Sequence, residues 1–120
     1  MAQAFHPNQI TAITHKQGPM LVLAGPGSGK TTVIVHRIRY LTEELQVPPH
    51  RILVITFTKA AAEQMKTRFA ALSMRTGIVF GTFHSAFFRI LRRARGYHVD
   101  QVLKEEQKQR ALRGIFTQMQ

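Results

Sequence analysis

Residues 24–31 read Ala-Gly-Pro-Gly-Ser-Gly-Lys-Thr, a run that alternates glycine with small residues and ends in a lysine and a hydroxyl. Gly25, Gly27 and Gly29 can take backbone angles closed to residues with a Cβ, so this stretch can wrap a polyphosphate closely and turn successive amides inward. Pro26 has no N–H, which leaves Gly27, Ser28, Gly29, Lys30 and Thr31 as the expected donors. A helix starting here adds its positive end to the same anion site. Lys30 supplies a mobile point charge for β- and γ-phosphates, and the Thr31 hydroxyl can enter the shell of a Mg²⁺ ion. Lys30 and Thr31 are therefore the candidate catalytic contacts, with Thr31 as the metal contact. The strict pattern for such a loop begins with Gly, where this chain has Ala24, a residue still small enough to leave a strand without crowding the turn. A glycine-rich loop that contains Lys-Thr by chance is the competing reading, and context decides between the two.

That context is an apolar segment before the loop and a helical pattern after it. Met20 to Ala24 reads as a strand, preceded by a short helix from Pro7 to about His15 that Gly18 and Pro19 terminate. Ile34, Ile38, Leu41 and Leu45 recur at helical spacing, predicting a helix from about Gly29 to Leu45 that ends before Pro48 and Pro49. The β-branched run Ile52 to Phe57 reads as a buried parallel strand, with Thr58 capping an alanine-rich helix through about Leu72. Gly77 marks a turn, Ile78 to Thr82 a third strand, and about His84 to Arg95 a further helix broken by Gly96. Asp100 is placed to cap a last helix with Leu112, Ile115, Phe116 and Met119 on one stripe. Three strand-then-helix units imply an α/β fold with a parallel sheet and right-handed crossovers.

Length and composition bound the partners. A chain of 120 residues suits one domain with a real core, and the absence of cysteine excludes disulfide scaffolds and thiolate metal sites. No apolar run approaches bilayer length and the N-terminus lacks signal-peptide order, so the cell interior, the cytoplasm, is the expected compartment. Seventeen Lys and Arg against six Asp and Glu give a net charge of +11, an excess that favours a polyanionic partner, nucleic acid first.

At the ends of the second and third strands, Thr56-Phe-Thr-Lys59 and Thr82-Phe-His-Ser85 put hydroxyls, rings and cations at the carboxyl edge of the sheet, where parallel α/β folds bind ligands. Together with the glycine loop, these segments resemble motifs I, Ia and Ib of UvrD/Rep/PcrA-type superfamily 1 DNA helicases, in the same order and at similar spacing. The likeness extends over most of the chain, including His36 to Leu41 and Arg89 to Arg92 after motifs I and Ib. It implies a RecA-like P-loop NTPase fold, incomplete here, with residues 1–99 as the N-terminal part of the first ATP-binding domain and 100–120 as a helix that begins an inserted domain. Phe5 to Gln9 resembles the family's Q motif, which implies that Gln9 reads the adenine of ATP. The cofactor set implied is ATP with Mg²⁺, held by Gln9 and by Ala24, Gly25, Pro26, Gly27, Ser28, Gly29, Lys30, Thr31 and Thr32. The family usually has Asn at the position of His6 and often Arg at that of Thr32.

The resemblance further implies that Thr56, Phe57, Thr58, Lys59, Thr82, His84 and Ser85 track single-stranded DNA, the ring of Phe57 stacking on a base and the others holding phosphates without reading sequence. Relatives commonly carry an Asn between the Thr and Lys of motif Ia, whereas Lys59 directly follows Thr58. Phe57 and Phe83 as core aromatics, His84 as a helix cap, and Arg89, Arg92, Arg93 and Arg95 as a solvated face remain the alternatives. No apolar strand here ends in Asp-Glu, and no second RecA-like domain is present to supply an arginine finger. The chain is therefore expected to be the N-terminal part of an ATP-driven translocase that unwinds duplex DNA with 3′ to 5′ polarity in repair, replication or recombination. Its DNA partners would be single strands and duplex junctions, and the remainder of the helicase would complete the sheet. Alone, it is expected to bind nucleotide weakly, to hydrolyse it poorly, and to expose apolar surface that favours self-association. A DNA-binding module with a vestigial loop and a P-loop phosphotransferase are the rival functions.

Overall fold

The computed structural model describes residues 4–118. The chain divides into two compact units, one running to Phe83 and the other starting at His84. The first unit contains helices α1 (Pro7–Thr14), α2 (Lys30–Arg39) and α3 (Lys59–Leu72) and the strands β1 (Leu53–Thr56) and β2 (Val79–Thr82). The strands pair in parallel, Leu53 opposite Val79 through Thr56 opposite Thr82, with α3 as the crossover between them. This mixed α/β arrangement agrees with the class expected from sequence, and its sheet has two strands.

Helix starts follow local chemistry. Pro7 occupies the first turn of α1, where its missing N–H costs nothing, and His6 caps the helix by accepting from the Asn8 amide at Nδ1, 3.4 Å away. Thr58 caps α3 as expected, its Oγ1 accepting from the Ala61 amide at 3.2 Å. Gly77 adopts φ +97°, in the left-handed region where glycine is favoured, and turns the chain into β2. After Arg39 the helix widens into a π-turn, Tyr40–Glu44, in which the buried Thr42 hydroxyl donates to the carbonyls of Ile38 and Arg39.

The core lies between α2 and α3 on one side and the two strands on the other. Val35, Ile38, Met65 and Phe69 are buried, and Val54, Leu72, Ile78 and Phe80 pack against them. The Phe69 and Phe80 rings lie 6.2 Å apart at a 44° tilt. The buried face of α2 is thus set by Val35 and Ile38, while Ile34, expected on that face, is exposed.

The expected strand Met20–Ala24 is not formed among the described residues. A strand requires a backbone partner, and β1 and β2 pair only with each other. With no third strand alongside, Leu21 and Leu23 stay 84% and 88% exposed. This agrees with the exposed apolar surface expected from the sequence.

In the second unit, α4 runs from Phe83, at the end of the first unit, to Arg95, and Gly96 follows at φ +65°. Asp100 does not cap the last helix. It sits inside a short 3₁₀ turn, Val99–Gln101, and α5 (Glu105–Gln118) begins only after Lys104, whose amide donates to Gln107 Oε1 at 2.9 Å. Leu112, Ile115 and Phe116 are exposed on α5, and Met119 lies outside the described residues.

Candidate nucleotide and nucleic-acid site

The glycine loop leads directly into α2, with Gly29 as its N-cap at φ +76° and Gly27 at φ +71°. Both values lie where a Cβ is strongly disfavoured, so two of the three loop glycines are required by backbone shape. No side chain caps α2, and the amides of Lys30, Thr31 and Thr32 have no acceptor inside the helix. The loop is tightened from within, as Ser28 Oγ donates to the Gly25 carbonyl at 2.7 Å. Lys30 folds back over the loop, its Nζ donating to Gly25 O at 2.7 Å and Ala24 O at 3.5 Å. Its ammonium is thereby held against the first residues of the loop, at the opposite end from the open amides.

Gln9 reaches this loop from α1. Its Oε1 accepts from the His6 amide at 2.9 Å and its Nε2 donates to the Ser28 carbonyl at 3.1 Å. An amide side chain has two hydrogens on nitrogen and two lone pairs on oxygen, so one of each remains for a ligand after these bonds. Close approach here also needs Gly29, because a Cβ at that position would lie 3.3 Å from Gln9 Nε2. Two recesses open at the loop. A cavity of about 560 Å³ is lined by Gln9, Gly25, Ser28 and Lys30 together with apolar Val22, Leu23 and Ile34. A smaller recess of about 200 Å³ is formed by Gly27 through Thr32 and by Arg68 of α3. The site thus joins a polar loop to a side-chain amide at its flank and an apolar wall beyond.

Arg68 is brought to the loop by the fold and not by any motif in the sequence. The signal was present in the pattern of α3, because Ala62, Met65 and Phe69 define its buried face and Arg68 sits next to Phe69 at the border of that face. Ala24, Pro26, Thr31 and Thr32 stand in or beside the loop as expected, with Thr31 and Thr32 in the first turn of α2.

At the other candidate surface, parallel register sets Thr56 opposite Thr82 at the carboxyl ends of β1 and β2. Phe57 is 92% exposed, which excludes it from the core, and Phe83 is also exposed. Thr56 Oγ1 donates to the Thr58 carbonyl at 2.8 Å and holds the turn that presents Phe57. Lys59 is exposed at the first residue of α3, whereas Thr82 is buried. His84 and Ser85 fall in the first turn of α4, inside the helix, so His84 is not its cap. Among the described residues no cluster of three His, Asp or Glu side chains forms a metal site, and no helix is long and apolar enough to cross a membrane.

A profile of the family described as UvrD/REP helicase N-terminal domain matches residues 5–118. This chain belongs to that family. It is 45% identical over 96 residues to an ATP-dependent DNA helicase PcrA of Leuconostoc citreum, covering 78% of this chain and 13% of the relative. To a PcrA of Staphylococcus epidermidis it is 45% identical over 95 residues, covering 78% and 13%, and to one of Staphylococcus aureus 48% over 87 residues, covering 71% and 12%. The chain therefore spans only about an eighth of the length of these helicases. Membership of a DNA helicase family agrees with the resemblance read from the glycine loop and the two strand ends, and it sets aside the phosphotransferase alternative.

Proposed function

We propose that this chain forms the ATP-binding edge and part of the DNA track of a helicase motor, with the intact protein hydrolysing ATP to move along single-stranded DNA and unwind duplex. The loop from Ala24 to Thr32 would hold the triphosphate through its amides, Lys30 would pair with the β- and γ-phosphates, and Gln9 would select adenine. A Mg²⁺ ion held at the Thr31 hydroxyl would neutralise phosphate charge as it develops. Arg68 would add a guanidinium beside the phosphates. Phe57 would stack on a base, with Thr56, Thr58, Lys59, Thr82, His84 and Ser85 positioning the backbone. Residues 1–99 would form part of the first RecA-like domain, and α5 would open an inserted domain.

The observation that carries this reading is that Gln9 of α1 reaches Ser28, 19 residues on, in the same loop over which Lys30 folds, because this would join a side-chain amide for the base to an ammonium for the phosphates. Movement 3′ to 5′ in DNA repair, replication or recombination, within the cytoplasm, is the biological setting proposed. The net charge of +11 also favours a second reading, a DNA-binding module without hydrolysis. ATP hydrolysis by the full-length protein, with single-stranded, duplex or no DNA, separates the two. Hydrolysis that requires single strands and is lost in Lys30→Ala supports the motor. Salt-sensitive DNA binding with no hydrolysis under any condition leaves the module.

A further inference from the structure

Arg37 makes three hydrogen bonds that neither the phosphate loop nor the DNA track explains. From the second half of α2 its Nη1 donates to the carbonyls of Ala12 at 2.9 Å, Ile13 at 3.3 Å and His15 at 2.8 Å. These carbonyls lie at the C-terminal end of α1, where a helix leaves its last acceptors unsatisfied and its dipole favours a cation. At the other end of α1, Gln9 donates to Ser28 of the loop that starts α2. The loop and the helix that follows it therefore hold α1 at both ends.

We propose that Arg37 is a positioning residue for the nucleotide base, acting through α1 on Gln9; the proposal rests on the nucleotide reading above. With eight residues, α1 is too short to hold itself together in water, and its shape depends on what it packs against. Buried Ala12 and Ile13 anchor it by contacts that have no preferred direction, whereas three bonds to one guanidinium fix its rotation about its own axis. Rotation is what matters for Gln9. Its remaining N–H and lone pair can pair with the amino group and N7 of adenine only if the amide plane meets the base edge-on, and guanine presents two acceptors at that edge instead. Arg37 lines the 560 Å³ cavity beside Gln9 but not the smaller recess formed by Gly27 through Thr32, so the phosphate cradle does not need it.

The test is binding of Mg·ATP, Mg·GTP and inorganic tripolyphosphate to the full-length protein, in Arg37→Ala, Arg37→Lys, Gln9→Ala and the Arg37→Ala/Gln9→Ala double variant. Arg37→Ala is expected to reduce the preference for ATP over GTP by roughly tenfold or more, the scale of a paired contact to a base, with tripolyphosphate affinity unchanged. In the Gln9→Ala background it is expected to add nothing further, which is the signature of one residue working through the other. Arg37→Lys, which keeps the charge on a shorter side chain without the planar group, should lie between. An ATP preference that survives Arg37→Ala overturns the proposal. So does an equal loss of tripolyphosphate binding, which would make Arg37 a general scaffold residue. If the unmodified protein binds none of the three ligands, the nucleotide reading falls first and this proposal with it.

Discussion

Replacing Phe57 by Ala isolates DNA binding from folding, because the ring is 92% exposed and leaves almost no contact to lose. The neighbouring turn is held by Thr56 Oγ1 donating to Thr58 O and by the Thr58 cap on α3, neither of which uses the ring. Folding stability should therefore change by less than about 0.5 kcal/mol, the usual range for a surface site. Base stacking on an aromatic side chain is worth about 1–3 kcal/mol by alanine substitution, which corresponds to a loss of roughly 5- to 150-fold in affinity. Fluorescence anisotropy with a labelled oligothymidine, across a series of salt concentrations, gives two readouts at once. The affinity should fall while the salt dependence stays the same, since the ring releases no counterions. Phe57→Tyr should retain most of the affinity. Lys59→Ala should behave oppositely, with a smaller loss and a salt slope lower by about one. An affinity within twofold of the unmodified protein in Phe57→Ala would refute the stacking role, and a large drop in stability would refute the exposed placement.

Gly29→Ala should cost about 1–2 kcal/mol of stability from the left-handed backbone alone, with a further loss because the new methyl presses on Gln9 Nε2 at 3.3 Å. Urea unfolding measures both parts, and adding Gln9→Ala should relieve only the second. Phe69→Ala removes a buried ring packed on Phe80 and should cost about 3–5 kcal/mol, read from the same unfolding curves. Acid should weaken the fold through two groups. Hydrogen bonds from Arg39 and then Ser73 hold the Glu43 carboxyl below its ordinary value of 4.5, so its contribution is present above that pH and is lost as pH falls through the lowered value. Burial, then the Arg39 charge, lower the His36 pKa from 6.5, so the unfolded chain takes up that proton more readily and stability declines as pH drops below about 6.5. Unfolding midpoints measured from pH 8 to pH 3 should flatten at the acid end in Glu43→Gln and near neutrality in His36→Gln.

The legible parts of the sequence were those governed by local chemistry. Thr58, Pro7, Gly77 and Gly96 each act on their own neighbourhood, and the structure places α1, α3, β1 and β2 close to where those signals put them. Met20–Ala24 failed because strand formation depends on a partner, and apolar content cannot supply one. The start of α5 is not legible because an Asp suits a cap at any helix start, and here Asp100 lies in a 3₁₀ turn ahead of the helix. The candidate loop 24–32 is read from its own spacing, and Gln9 only from the family pattern; the structure brings Gln9 onto that loop at Ser28. The contacts of Arg68 and Arg37 are not legible in the sequence for a shared reason. Each acts across a helix–helix or helix–loop contact, a relationship that one-dimensional spacing does not encode.

Amide chemical shifts of the isotope-labelled chain during titration with Mg·ATP test the central claim most directly, because the cradle is made of backbone N–H groups. The account expects the largest movements at Gly27, Ser28, Gly29, Lys30 and Thr31 and at the Gln9 side-chain amide, all abolished in Lys30→Ala. Shifts confined to the arginine-bearing helix α4, or shifts that persist unchanged in Lys30→Ala, would mean that the nucleotide is held by charge alone and that the loop is not its site.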